Sequence, residues 1–300
     1  MKTYHANGKL LITGEYLVLD GALSLAVPTR KGQSLSYQEE KSNSLLWESI
    51  DVNKEKWFEA KFSASNFNIL ETSNSNTAKF LQQLLRNAKS ISNSKNNISG
   101  CVKTFLEFPR DWGFGSSSTL ISLVAQWFNL SPFELHFSVS NGSGYDIACA
   151  KANSAITYKL IDNQPTFKAA KWNPTFKDSL FFVHLNTKQD SSKEVNKYKN
   201  NRNINSSLIE KIGAISENIL AAQSIEEFKV LIETHEQLIS DILKTSTIKE
   251  KLFPDFNGVV KSLGAWGGDF ILVCGDKLAK EYFSKKGYPT QINFEKALIT

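Results

Sequence analysis

The sequence is poor in cysteine, with only Cys101, Cys149 and Cys274 in 300 residues. The count is odd and no Cys-x-x-Cys pair occurs, so neither a disulfide framework nor a thiolate metal site is expected, and reduced thiols are the default. The four histidines, His5, His136, His184 and His235, form no cluster along the chain. Long apolar runs are missing, and none approaches the roughly 20 residues of a membrane span. The opening MKTYHANGKLLITGEY carries charges and glycines where a secretory leader needs an apolar core. A soluble, cytoplasmic protein without a membrane partner is therefore expected. No long basic run occurs either. A net charge of +5 spread over scattered lysines argues against nucleic acid and suits a binder of phosphorylated anions. There are no internal repeats and no low-complexity linker. Two familiar nucleotide loops are also absent, because no Gly-Lys-Ser/Thr ending and no Gly-x-Gly-x-x-Gly string is present.

What remains is an ordinary globular composition, 41% hydrophobic and 22% charged. The length allows two lobes or one large domain. Short apolar runs at 10–12, 16–19, 23–27, 33–38 and 102–108 read as strands, as do 156–160, 180–185 and 270–274. Helical periodicity marks 77–88, where Ala78, Leu81, Leu84, Leu85 and Ala88 share a face, and also 116–129, 207–220, 225–243 and 278–285. The segments around 63–76 and 89–99 are rich in Asn and Ser and read as loops. Strands and helices are interspersed without strict alternation, which favours α+β over a doubly wound sheet. A boundary falls near 171–178.

Four segments could carry chemistry. Pro109-Arg110-Asp111-Trp112-Gly113-Phe114-Gly115-Ser116-Ser117-Ser118-Thr119 lies between a strand and a helix. Its glycines let a ligand approach the backbone, and the helix start suits a phosphate. Serine hydroxyls there can ligate Mg²⁺. A tight turn with a Ser cap is the alternative. Leu263-Gly264-Ala265-Trp266-Gly267-Gly268-Asp269-Phe270 leaves little side chain to pack, so either something approaches its backbone or it is a strand entry. In Asn141-Gly142-Ser143-Gly144-Tyr145-Asp146, the aspartate either accepts a proton and orients a hydroxyl, or caps a helix. Lys9, before Gly14-Glu15-Tyr16, either offers a compact positive charge to a phosphate or is simply solvated.

Taken in order, these four segments resemble the motifs of the GHMP kinases, the superfamily that includes galactokinase, homoserine kinase, mevalonate kinase and phosphomevalonate kinase. The resemblance spans nearly the whole chain. It is strongest to the mevalonate-pathway members, on Gly8-Lys9-Leu10, on Lys261-Ser262-Leu263-Gly264-Ala265-Trp266-Gly267-Gly268-Asp269, and on Asn186-Thr187-Lys188 with Ser191-Ser192-Lys193-Glu194-Val195. Gly144-Tyr145-Asp146-Ile147-Ala148 is similar to a string in a group of bacterial relatives.

The resemblance implies a two-lobed α+β fold: residues 1–172 as a ribosomal protein S5 domain 2-like lobe with the ATP loop, and 173–300 as a ferredoxin-like lobe. It implies ATP-dependent transfer of a γ-phosphoryl group to an alcohol or phosphate acceptor, namely mevalonate or phosphomevalonate in isoprenoid precursor synthesis. The partners it implies are ATP, Mg²⁺ and that small molecule, acting on a monomer or homodimer. Gly113, Gly115, Ser116, Ser117 and Ser118 become the phosphate loop, with Ser117 reaching Mg²⁺. Asp146 becomes the catalytic aspartate with Lys9 beside it. Gly264, Gly267, Gly268, Lys188 and Ser191 line the substrate and phosphates. Phe114, Ser118, Thr119 and Trp266 depart from the usual residues, and Trp266 would crowd its loop. The ungapped counterpart of a second Mg²⁺ glutamate is Leu135, between Glu134 and His136; either Glu134 takes that role or the metal is held differently. Another acceptor such as a sugar or homoserine, diphosphomevalonate decarboxylation, and a non-catalytic binding protein are the competing readings.

Overall fold

A computed structural model describes residues 1–187, 191–201, 205–266 and 268–300. It resolves into two compact units that interleave along the chain. The first holds Met1–Gly8, Lys31–Arg110 and Phe114–Lys151, and the second holds Lys9–Arg30, Asp111–Gly113 and Ala152–Thr300. The cut at 172 read from the sequence follows chain order, whereas β1 (Lys2–Leu11) and β2 (Ser24–Glu39) each pass from one unit into the other.

In the first unit, β3 (Ser44–Ile50), β4 (Lys56–Ser63), β5 (Ile69–Thr72) and β6 (Gly100–Leu106) join the second half of β2 in the order β5-β4-β3-β6-β2. All neighbours are antiparallel except β3 with β6. Alternation drives this sheet: Phe58, Ala60 and Phe62 point inward from β4. They meet the face of α1 (Ser75–Ile91), where Ala78, Leu81, Leu84, Leu85 and Ala88 are buried, as the periodicity predicts. Next come α2 (Ser116–Phe128), α3 (Pro132–Val139) and α4 (Tyr145–Cys149), which place Leu123, Val124, Leu135 and Ile147 in the same core.

In the second unit, β7 (Ala155–Ile161) pairs with the first half of β2 and forms a hairpin with β8 (Gln164–Ala170). A further strand, β9 (Leu180–His184), precedes α5 (Ser191–Asn201), α6 (Ser206–Ala221), α7 (Ile225–Leu243) and α8 (Ile248–Leu252). Then follow β10 (Val259–Ser262), β11 (Phe270–Cys274), α9 (Lys277–Lys285), β12 (Gln291–Asn293) and α10 (Phe294–Ala297). The order of this second sheet is β10-β11-β9-β12, all antiparallel. Phe181, Val183, Phe253, Val260, Ile271, Val273 and Phe283 form its core. Among the described residues no helix is long and apolar enough to cross a membrane.

One strand expectation fails. Tyr16–Leu19 is not extended; Leu17–Asp20 is a 3-10 turn. Gly14 has φ +85 and Tyr16 φ +64, so the chain turns on itself, and Leu17 N–H and Val18 N–H donate to Glu15 O and Gly14 O. Leu17 and Val18 are buried by the turn rather than by a sheet.

Candidate functional site

Most long helices of this chain begin with a side-chain cap. Asn74, Ser131, Asn205, Ser224, Thr247 and Asp276 cap α1, α3, α6, α7, α8 and α9. By contrast, α2 begins at Gly115 (φ +89) and α4 at Gly144 (φ +86), neither with a side-chain cap, and Asn293 before α10 makes no cap bond either. A 13-residue helix such as α2 thus presents unsatisfied donors and the positive end of its dipole at Ser116–Ser118. Ser118 is buried and turns its hydroxyl back to Gly115 O at 2.8 Å. Thr119 donates to Gln33 Oε1 at 2.6 Å. Ser116 is half-buried and Ser117 exposed. The Ser cap, the alternative reading of this run, is therefore not there; Gly115 occupies the cap position.

Asp146 is the second residue of α4, half-buried, and the cap position belongs to Gly144. Its Oδ1 accepts the Ile147 N–H at 3.0 Å. Glu134 is exposed in the first turn of α3, and the neighbouring Leu135 is fully buried in the core. Among the described residues no group of three His, Cys, Asp or Glu side chains could hold a metal ion.

The second unit brings together three residues from three distant segments. Lys9, half-buried on β1, donates from Nζ to Gly113 O at 2.8 Å. Gly113 has φ +65, and a Cβ built on it would lie 2.2 Å from Asp269 Oδ2. Only glycine lets the loop run so close to that carboxylate. Asp269 is itself left-handed (φ +57) and 8% exposed, held by its N–H on Thr187 O at 2.7 Å and its carbonyl on Leu185 N–H at 2.8 Å. Residues 111–113 are fixed from the other side. His184 Nε2 donates to Asp111 O at 3.3 Å, and Trp112 meets Phe270 edge-on at 5.4 Å.

Gly264 has φ +68 and faces open space, while Gly268 is buried. Between them Trp266 is buried in a left-handed conformation (φ +38), and its indole N–H finds no partner among the described residues. Gly267 and Lys188 lie outside the described residues; Ser191 opens α5.

Sequence reasoning gives no role to a buried charge cluster beside these segments. Lys261 on β10 is wholly buried, and its three ammonium protons reach Glu15 Oε1 at 2.6 Å, Glu236 Oε1 at 3.1 Å and Ser262 O at 2.6 Å. Glu236 Oε2 accepts from Ser262 Oγ at 2.9 Å. Burial raises the Glu15 carboxyl to about 7 against the opposing pull of Lys261, and burial likewise raises Glu236. Burial alone lowers Lys261, but the two carboxylates outweigh it and its pKa is raised. One lysine with two carboxylates leaves a charge of −1 unless one acid keeps its proton, and Glu15, with fewer donors than Glu236, is the better holder.

No family model matches the chain, and no curated protein sequence matches it. Solved structures do. The chain is similar to Streptococcus pneumoniae phosphomevalonate kinase in complex with phosphomevalonate and AMPPNP, with a TM-score of 0.72, 19% identity, and 97% of this chain and 99% of that chain covered. It is similar to Methanococcus jannaschii mevalonate kinase at a TM-score of 0.67 and 14% identity over 95% of this chain and 94% of that one. Lactococcus lactis galactokinase, complexed with galactose, matches at a TM-score of 0.67 and 12% identity over 99% and 93%. These neighbours are GHMP kinases, a class of ATP-dependent phosphotransferases, and the chain has their fold.

Proposed function

We propose that the protein is an ATP-dependent kinase that transfers the γ-phosphoryl group to a small alcohol or phosphate acceptor, with mevalonate or phosphomevalonate as that acceptor. The observation that carries this reading is the Lys9 ammonium on the carbonyl of Gly113, at the entry to the glycine-rich loop. A fold shared with phosphomevalonate kinase over almost the whole chain supports it.

The chemistry asked of the protein is mostly positioning and charge neutralisation. The uncapped start of α2 supplies backbone donors for phosphate oxygens, and Gly115 lets those oxygens approach. Asp146 accepts or orients the acceptor hydroxyl, and Lys9 favours the negative charge that develops on its oxygen. The donor set fits Mg²⁺, because exposed Ser117 offers a hard oxygen and this ion takes few protein ligands when it rides on nucleotide phosphates. Once bound, Mg²⁺ would neutralise phosphate charge.

The test is ADP release by the purified protein with Mg-ATP against mevalonate, phosphomevalonate, homoserine and galactose. Turnover on either of the first two supports the reading. Turnover on homoserine or galactose alone keeps the class and changes the acceptor. ATP binding without turnover on any of them removes the kinase assignment for these acceptors, and no ATP binding removes it altogether.

A further inference from the structure

The cluster around Lys261 is costly, since each ion taken out of water loses several kcal/mol of hydration. Its members come from three places that matter to the proposed reaction. Glu15 lies in the turn that follows β1, the strand carrying Lys9. His235 and Glu236 lie on α7. Lys261 and Ser262 end β10, immediately before Leu263 and Gly264. The connections are saturated on one side and open on the other. Gly14 N–H donates to His235 Nε2 at 2.9 Å, so that nitrogen carries a lone pair. Glu15 Oε2 sits 3.4 Å from the same nitrogen, buried and with no donor of its own. A buried carboxylate oxygen without a donor is costly unless it carries a proton.

We propose that Lys261 is a positioning residue for phosphoryl transfer, clamping the turn after Lys9 to the strand before Gly264 through Glu15 and Glu236. The inference rests on the kinase reading above. In the working clamp Glu15 carries a proton on Oε2, beside His235 Nε2, while Lys261 and Glu236 form the ion pair. The net charge is then zero. Loss of the Glu15 proton sets a second buried carboxylate beside Glu236 on a single lysine and loosens the turn at Gly14. The groups facing Glu15 are Lys261 from β10, His235 and Glu236 from α7, and its neighbour Tyr16, which in turn lies near Glu194 of α5.

Two variants test it, Lys261→Met and Glu15→Gln. Hydrogen exchange needs no acceptor. In Lys261→Met the amides of 14–18 and 263–266 should exchange at least about tenfold faster, while those of β9 keep wild-type rates. Wild-type exchange in both segments overturns the clamp, and faster exchange everywhere marks mere destabilisation and overturns it too. On the acceptor that the wild type turns over, kcat of Lys261→Met should fall about 100-fold with KM for ATP within about threefold. A wild-type kcat in this variant overturns the proposal. Wild-type kcat should decline above pH 7 and that decline should vanish in Glu15→Gln; the same decline in both removes the proton from Glu15. If Lys261→Met does not fold, Glu15→Gln alone decides through its exchange at 14–18 above pH 7, which should be slower than that of the wild type. If the wild type turns over no acceptor, the kinase reading has failed while the exchange data still judge the clamp.

Discussion

In the first unit, α2 and α4 start at Gly115 and Gly144 with no side-chain cap; Ser117 is exposed, and Asp146 is half-buried with its own carboxylate on the Ile147 N–H. In the second unit, Lys261 has no exposed surface and an oxygen on each of its three protons. The difference separates two uses of polarity. Groups left short of protein partners keep capacity for a ligand, and groups saturated by protein fix the backbone around them. Six other helix starts support this division, because each has a side chain where α2 and α4 have glycine. Among the described helices α10 also starts without a cap bond, but α2 and α4 are the ones that start on glycine, at the segments read as the phosphate loop and the aspartate.

The comparison can be broken most sharply at Asp146. Asp146→Asn keeps size and the bond to Ile147 N–H but cannot take a proton; turnover should drop about 10³-fold. Nucleotide affinity, read by titration, should stay within about threefold. Wild-type turnover would reduce Asp146 to a helix-start residue.

The saturated side is sharpened by pH. The folded Glu15 carboxyl is raised from 4.5 to about 7, so its protonated form favours the fold. That contribution is fully present below pH 4.5 and is lost as pH rises to about 7. Glu15→Gln keeps the neutral shape at every pH. The wild type should therefore lose about 3 kcal/mol relative to the variant between pH 4.5 and 7, and nothing further above it. Burial, and then Lys261, hold His235 well below its ordinary 6.5, which acts oppositely: neutral in the fold, it costs stability as pH falls below 6.5. Urea unfolding of both proteins from pH 4.5 to 8 isolates the Glu15 part as a difference; a constant gap would remove the buried acid.

Two glycines give a smaller effect. Gly113→Ala meets both a left-handed backbone and the Asp269 carboxylate, and should lower stability by about 2–3 kcal/mol. Gly264→Ala meets only the backbone term and should lose about 1 kcal/mol. Equal losses in thermal melts would mean that Asp269 swings away freely. Of the same size, Ser224→Ala removes the cap of α7 and should cost about 1 kcal/mol with turnover unchanged. Ser117→Ala should do the reverse, leaving the melt alone and weakening the use of Mg-ATP.

Much of this was legible in the sequence wherever one period or one motif dominated. α1, α2, α6 and α7 follow their apolar stripes closely. Glycines 113, 115, 144 and 264 do take the positive φ that turns require. The run 16–19 misleads because four apolar residues fit a strand and a buried turn equally well, and only the φ of Gly14 and Tyr16 decides. β3, β4 and β5 go unread, although Phe58, Ala60 and Phe62 carry a period of two, because polar residues surround them. The clamp had no local signal. A lysine reads as a surface charge, and nothing near Lys261 announces Glu15.

That pairing joins residues 246 positions apart. A chain made at about 5–20 residues per second exposes Glu15 roughly 12–50 s before Lys261 exists to meet it. Until then Glu15 lacks the donor that Lys261 supplies. A chain that stops before β10 lacks the lysine that bonds to Glu15. Lys261 thus dates the turn: the bond that closes it waits until 246 further residues have been made.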